Sequence, residues 1–183
     1  EEGTLAAWAL ETCVRFGEKL VITDPKKNHW ISSSGQKDDP IDALKLAQLG
    51  RGGYIKEIHH PVGQRRRFRE LMIAYNDAVR STTRIKNKIK AKFRQNGIQC
   101  TGIAVYSETY REEWKAKLPQ EPTLLLILDG LWSQLEQSEQ TEKGLLAAAR
   151  AQAKNYPEIK HFQALPGIGF ISAATISAML ETP

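Results

Sequence analysis

The sequence has little cysteine and no apolar run long enough for a membrane-spanning helix. Its two cysteines, Cys13 and Cys100, fit neither a disulfide framework nor a metal-ligand spacing, which is typical of reduced thiols in a cytosolic protein. The leucine-rich run at 124–128 is far shorter than the roughly 18 residues that a membrane-spanning helix needs. The sequence opens on two glutamates and therefore shows no signal-peptide pattern. These features predict a cytoplasmic protein and argue against a membrane protein.

The residue patterns of serine and cysteine nucleophilic catalysis are also missing. No Ser/His/Asp or Cys/His set stands out, and the four histidines have no metal-ligand spacing. Hydrophobic residues make up 41% of the chain and charged residues 26%, which is typical of a folded globular protein. A length of 183 residues suits one domain or two small ones.

Positive charge is concentrated in one part of the chain. The net charge is +5, and the segment from Arg65 to Arg94 holds eleven Lys or Arg residues against two acids. Such a density is self-repelling unless phosphates neutralise it, so it favours nucleic-acid binding over the alternative of a solvated helix face. The candidate contact residues are Lys37, Arg65, Arg66, Arg67, Arg69, Arg80, Arg84 and Lys88.

Residues 1–60 have the pattern of an incomplete α/β layer. The spacing predicts a helix over 4–17, a short buried strand over 19–23, and a helix from Pro40 to about Leu49. Helix, strand and helix in this order are typical of a layer built on a parallel sheet. One short strand cannot form that sheet alone, so we expect part of a domain here.

Residues 61–157 have the seven-residue periodicity of a coiled coil. We predict one long helix to about Asn96, a second over 122–155, and a short helix near 108–117 between them. The long helices are expected to form an antiparallel hairpin whose first seam is interrupted by Lys86. Acids of the second helix are expected to face basic positions of the first. The predicted seams comprise Phe68, Met72, Tyr75, Val79, Thr82, Ile89 and Phe93, and Leu124, Leu128, Leu131, Leu135, Leu145 and Ala149; the facing acids are Glu136, Glu139 and Glu142.

The third predicted domain, 158–183, starts with a Pro-Gly turn. The run Leu165-Pro166-Gly167-Ile168-Gly169 is similar to the turn of a helix-hairpin-helix, and a helix is predicted from there to about Glu181. In such turns glycines allow backbone N–H groups to approach a phosphate, so Gly167 and Gly169 are candidate nucleic-acid contacts. An ordinary turn between two helices is the alternative. The predicted fold class is α+β and mostly α.

The most specific chemical feature is the acidic pair Asp39 and Asp42 in the run Lys37-Asp38-Asp39-Pro40-Ile41-Asp42-Ala43. The local pattern is that of a helix start, with Asp39 as the capping acid, proline in the first helical position and an acid in the first turn. Residues three apart also lie on one helix face, where two carboxylates can share a divalent cation such as Mg²⁺. Both interpretations stay open on spacing alone.

Taken in order, these motifs resemble one family. The chain starts with Glu1-Glu2-Gly3-Thr4 before a helix, followed by a strand that ends in Asp24-Pro25. Next comes the Lys-x-Asp-x-x-Asp-Ala signature, at Lys37, Asp39, Asp42 and Ala43. A basic coiled coil and the Pro-Gly-Ile-Gly turn complete the order. This order is similar to that of the DEDD transposases of the insertion-sequence 110 family.

The resemblance implies a RuvC-like, ribonuclease-H-type domain over 1–60 with a Mg²⁺ site of four acids, followed by a coiled coil and a domain with a catalytic serine. It identifies Asp39 and Asp42 as the third and fourth acids, and Glu1, or alternatively Glu2, as the glutamate. The first aspartate and the serine would lie outside the chain, since Ser172 and Ser177 do not occupy the serine motif, so we expect no activity from the chain alone.

The implied activity is RNA-guided DNA transposition or site-specific recombination. The implied partners are the insertion-sequence ends and target DNA, a structured guide RNA, and further copies of the chain bound through the coiled coil. Two alternatives from other classes stay open: a non-catalytic RNA- or DNA-binding module, and a RuvC-like metal-dependent nuclease.

Overall fold

The computed structural model describes residues 5–16, 20–24, 38–58 and 60–180. Its contacts divide the chain into two compact units, one of residues 1–67 with 180–183 and one of residues 68–179. Helices dominate the described residues, which confirms the prediction of a mostly α protein. None of the helices in the described ranges combines the length and the apolar composition that crossing a bilayer requires.

The first unit contains helix α1, Ala6–Arg15, and helix α2, Asp39–Arg51. Between the described segments of this unit the β-structure is one isolated antiparallel bridge, which joins Thr23 to Glu57. The backbone N–H of Ile58 also donates to the carbonyl of Ile22 at 2.8 Å. In the described part of the strand predicted over 19–23, the structure therefore has a single antiparallel bridge. The expected parallel sheet does not occur among the described residues, where the β-contact joins two segments that run antiparallel.

Helix α3, Gly63–Gln95, is the long basic helix expected from the periodicity. Its last helical residue is Gln95, and the chain turns away at Gly97, whose φ of 75° lies in the left-handed region that glycine adopts without strain. There the N–H of Ile98 donates to the carbonyl of Phe93, and the N–H of Gly97 to that of Arg94, both at 3.0 Å. These two bonds form a Schellman motif and pair carbonyls that the helix end leaves open. The predicted end of this helix is confirmed.

Helix α5, Pro122–Gln152, runs antiparallel to α3. The hydroxyls of Thr82 and Ser138 lie 2.9 Å apart, and further along α3 the ring of Phe93 lies 6.3 Å from that of Trp132. The partner numbers fall as the α3 numbers rise, which fixes the direction. The hairpin predicted from two matching heptad seams is therefore present.

Two hydrophobic clusters fill the second unit. The base cluster joins α3 and α5 to the short helix α6, Glu158–Gln163, and to helix α7, Phe170–Met179. The tip cluster lies at the other end of α3 and includes the connector between the long helices. The buried residues of the base cluster are Phe68, Met72, Tyr75, Ala149, Tyr156, Ile159, Ala173, Ala174 and Ala178. Those of the tip cluster are Ile85, Ile89, Phe93, Cys100, Val105, Leu118, Leu128, Trp132 and Leu135.

The connector consists of two 3-10 turns, Ala104–Tyr106 and Glu108–Tyr110, and helix α4, Arg111–Ala116. Lys86, the charged residue that interrupts the apolar seam of α3, forms an ion pair with Glu139 of α5 at 2.8 Å. That contact confirms one predicted pairing across the hairpin. Glu136 instead bonds Arg111 of α4 at 2.6 Å, so its predicted partner on α3 was wrong. The connector folds back over this side of α5 and supplies the nearer cation.

Candidate metal site and nucleic-acid surfaces

The acidic pair lies at the start of α2, one residue later in the helix than the sequence predicts. Asp38, with extended backbone angles of φ −142° and ψ 123°, precedes the first turn, and Asp39 is already helical. The assignment of Asp39 as the capping residue is therefore wrong. The side chain of Asp38 makes no capping hydrogen bond. Asp39 is exposed at the positive end of the helix dipole, free of a capping role.

Asp42 lies one turn further along the helix and is the more enclosed carboxylate. Its side chain is 35% exposed overall, yet its Oδ1 atom is buried and accepts no hydrogen bond from the described residues. The ammonium of Lys45 lies 4.0 Å from this oxygen, at the limit of an ion pair. A buried carboxylate oxygen without a donor is uncommon in folded proteins. Such an atom fits a metal ligand, because a bound cation satisfies it without a hydrogen bond.

The pair provides only part of a cation site. Asp39 and Asp42 share one helix face, and carboxylate oxygens are the ligands that Mg²⁺ prefers. Where the chain is described, no group of three or more Asp, Glu, His or Cys residues is placed to hold a metal ion. The other candidates of the sequence analysis, Glu1, Glu2 and Lys37, lie outside the described residues.

The basic residues of α3 differ in how strongly they are engaged. The guanidinium of Arg66 lies 2.7 Å from Glu11, and its hydrogen bond lowers the pKa of that carboxyl. Arg65 and Arg69 are half-buried, whereas Arg67 is exposed. Within the dense Arg65–Arg69 patch, Arg66 is therefore already paired with an acid of the first unit, and Arg65 and Arg69 are only partly exposed.

Further along α3 the cations lie open to solvent. Arg80, with 78% of its side chain exposed, is 3.6 Å from Asp77, and Arg84 and Lys88 are also exposed. These three cations follow each other at intervals of four residues, which places neighbours on adjoining turns. Phe68 and Tyr75 are buried in the base cluster, as predicted, and therefore do not serve as stacking platforms for bases.

The Pro-Gly turn connects α6 to α7 as the sequence predicts. Gly167 has a φ of 84°, and α7 begins directly after Gly169. A Cβ added at either glycine would meet no atom within 4 Å, so the turn is open on the outside. The hydroxyl of Ser177 donates to Glu158 at 2.8 Å and ties α7 to α6. The turn thus presents the N-terminus of α7 to solvent, where an anion can approach the backbone.

Residues 3–96 match the DEDD transposase family of insertion sequence 110, which is described as a transposase. The chain belongs to this family. Comparisons with curated proteins and with solved structures returned no match. The matched region contains the acidic pair and the basic helix α3, so both features of this transposase lie in the part that identifies it.

Proposed function

We propose that this transposase chain contributes to Mg²⁺-dependent cleavage and rejoining of DNA, with Asp39 and Asp42 as two of the metal-binding carboxylates. The observation that carries the proposal is the buried Oδ1 of Asp42, within the matched family region, which accepts no hydrogen bond from the residues that the structure describes. When bound, Mg²⁺ would neutralise charge that develops on phosphate oxygens during strand cleavage. Glu1, or alternatively Glu2, is proposed as a third carboxylate, in a RuvC-like lobe formed with further strands.

The role of the chain's own residues follows from their positions. Asp39, exposed at the helix start, would extend towards the cation, and Asp42 would hold it from the adjoining turn. The ammonium of Lys45 lies 4.0 Å from the same Asp42 oxygen, so it is the neighbouring cation that a bound metal would face. A serine nucleophile and a structured guide RNA are part of the proposal through the family resemblance.

We expect wild-type protein to bind Mg²⁺ in calorimetric titration, and the Asp39→Asn/Asp42→Asn variant to bind at least about tenfold more weakly, or about 1.4 kcal/mol. Neutral amides keep the shape of the side chains but lose the charge that attracts the cation. The matched control is Asp38→Asn, which removes one charge from the same segment while keeping a residue that starts helices well.

Helix content measured by circular dichroism should be unchanged in both variants, since no side-chain cap is lost at Asp38. Equal Mg²⁺ affinity in wild type and double variant would contradict the metal-site proposal. It would leave the nucleic-acid-binding module as the function of this part of the chain.

We propose that the exposed cations of α3, with the glycine turn between α6 and α7, bind the backbone of DNA or guide RNA. Arg80, Arg84 and Lys88 supply open positive charge on adjoining turns of one helix. The open turn at Gly167 and Gly169 supplies backbone donors at a helix N-terminus. Contacts of this kind position nucleic acid without reading its sequence.

The coiled coil is further proposed to pair two copies of the chain through the outer face of α5. Eight exposed, uncharged residues alternate at spacings of four and three along this helix, which is the spacing of a second heptad seam. Two of them are glycines with open space around an added Cβ, although glycine in a helix interior costs about 1 kcal/mol. Close approach of another helix would account for them. The residues are Leu126, Gly130, Ser133, Gln137, Gln140, Gly144, Ala147 and Ala151.

Charges beside this seam favour an antiparallel pair of identical helices. Asp129 and Glu136 precede Lys143 and Arg150 at intervals of seven residues, so the acidic half of one helix would lie beside the basic half of the other. Both acids bond cations of α4 yet remain 53% exposed. A second copy is therefore the partner that the charge pattern fits.

Replacing Gly144 by Glu is expected to convert a dimer to a monomer in sedimentation-velocity measurements. The substitution places a charge in the proposed seam, but it meets open space within the chain and removes a poor helix former. The control Ala74→Glu adds the same charge at an exposed position of α3 and should leave the dimer intact. A monomeric wild type, or dissociation by both variants alike, would contradict this interface.

A further inference from the structure

Three cations gather at the tip end of the hairpin. Lys90 and Arg94 are on the last turns of α3, and Lys117 follows α4. Throughout the described ranges, no carboxylate forms an ion pair with any of the three, whereas nearby Arg111 and Lys115 are each bonded to acids of α5. This end of the hairpin therefore has positive charge that its own acids do not neutralise.

Aromatic rings of the connector hold two of these cations in place. The ammonium of Lys90 lies 5.3 Å from the ring centre of Tyr106, and that of Lys117 lies 4.0 Å from the ring centre of Trp114. Both distances are within the range of cation–π attraction. Cations fixed against rings lose less side-chain entropy on binding an anion than freely moving ones, so the cluster is partly organised for a ligand.

A recess of about 360 Å³ opens beside them, lined by Arg94, Gln99, Cys100 and Thr101. Gln99 and Thr101 are exposed and offer amide and hydroxyl donors. Burial raises the pKa of the Cys100 thiol, while Lys90, Arg94 and Lys117 act in the opposite direction on the same sulfur. All three cations are thus within electrostatic range of one atom in the wall of the recess.

We propose that this recess and its three cations form a phosphate-binding site for the phosphodiester backbone of a nucleic acid. The inference rests on the proposed nucleic-acid binding and adds a second contact region at the far end of α3. Arg94 is 14 residues beyond Arg80, which corresponds to about 21 Å of helix, on the order of six base pairs. One duplex segment lying along the hairpin can therefore contact both regions.

The test compares the salt dependence of nucleic-acid affinity by fluorescence anisotropy, from about 50 to 300 mM KCl, with a duplex of about 20 base pairs. The Arg94→Gln/Lys117→Gln variant is expected to lose about tenfold in affinity and about 1 to 2 units of salt slope, because each phosphate contact contributes about 0.9. The charge-matched control Lys154→Gln/Lys160→Gln removes two exposed cations elsewhere in the second unit and should change the slope far less. A folded RNA of equal length, run in parallel, distinguishes RNA from DNA as the source of the phosphate.

A third variant, Arg80→Gln/Arg84→Gln/Lys88→Gln, separates the two levels of the proposal. If this variant weakens binding while the tip variant behaves like its charge-matched control, the proposed phosphate site at the tip is wrong. The proposal that the basic face of α3 binds nucleic acid would then still be supported. If no variant changes the affinity or slope, the proposed nucleic-acid binding by this helix fails as well. Thermal unfolding of each variant should stay within a few degrees of wild type, since all substituted side chains lie at the surface.

Discussion

Replacing Trp132 by alanine is expected to lower the free energy of unfolding by about 3–5 kcal/mol. The side chain is fully buried in the tip cluster, and its indole N–H donates to the carbonyl of Val105 at 2.9 Å. Arg111 and Lys115 lie 5.6 and 5.8 Å from its ring. Removal would therefore leave a cavity, an unpaired buried carbonyl and two cations without their ring contact.

Urea unfolding followed by circular dichroism measures this loss. Trp132→Phe is the informative comparison, because it keeps most of the ring volume and removes the indole donor. It should cost about 1–3 kcal/mol, the cost of leaving the carbonyl of Val105 without its partner. A loss below about 1 kcal/mol for the alanine variant would show that the tip cluster does not hold the connector onto the hairpin.

The hairpin could be predicted because the seven-residue spacing of apolar residues is visible within the sequence of each long helix. All predicted seam residues of α3 are buried except Val79, which is half-buried in the base cluster. Ile85 and Trp132 lie outside the predicted seven-residue registers and are nevertheless buried. The connector accounts for Trp132, since Val105 reaches it from 27 residues away and no helical period signals such a contact.

The acidic pair shows which features of the candidate metal site the local sequence pattern could predict and which it could not. Proline is favoured in the first helical position and acids at the residue before it, so the pattern predicted that Asp39 caps the helix. The helix begins one residue earlier and leaves Asp39 without a capping role. Spacing predicted the shared face of Asp39 and Asp42, but the burial of one Asp42 oxygen depends on packing around α2 that spacing does not encode.

The tip cations were not predicted as a group for a similar reason. Lys90 and Arg94 belong to the basic run of α3, while Lys117 stands outside it, beyond the turn at Gly97. Only the fold of the connector brings Lys117 near the recess that Arg94 lines. Charge counting along the sequence therefore located the basic helix but not the place where its positive charge is concentrated.

Phe68→Ala is the second substitution with a large expected effect, about 3–5 kcal/mol of unfolding free energy. Phe68 is fully buried at the start of the base cluster, and its ring stacks on Tyr156 with centroids 4.5 Å apart. Tyr156 lies two residues before α6, so this stack joins the beginning of α3 to the segment that carries the glycine turn. Losing it should weaken the attachment of α6 and α7 as well as the core.

Combining Phe68→Ala with Trp132→Ala tests whether the two clusters act independently. Phe68 lies 25 residues from Phe93, the α3 residue that packs against Trp132, or about 37 Å along the helix. Substitutions that far apart should add within about 0.5 kcal/mol in urea unfolding. Hydrogen exchange should show α7 amides exposed by Phe68→Ala and protected in Trp132→Ala. A larger coupling energy, or α7 exposure in both variants, would mean that the hairpin transmits packing changes along its whole length.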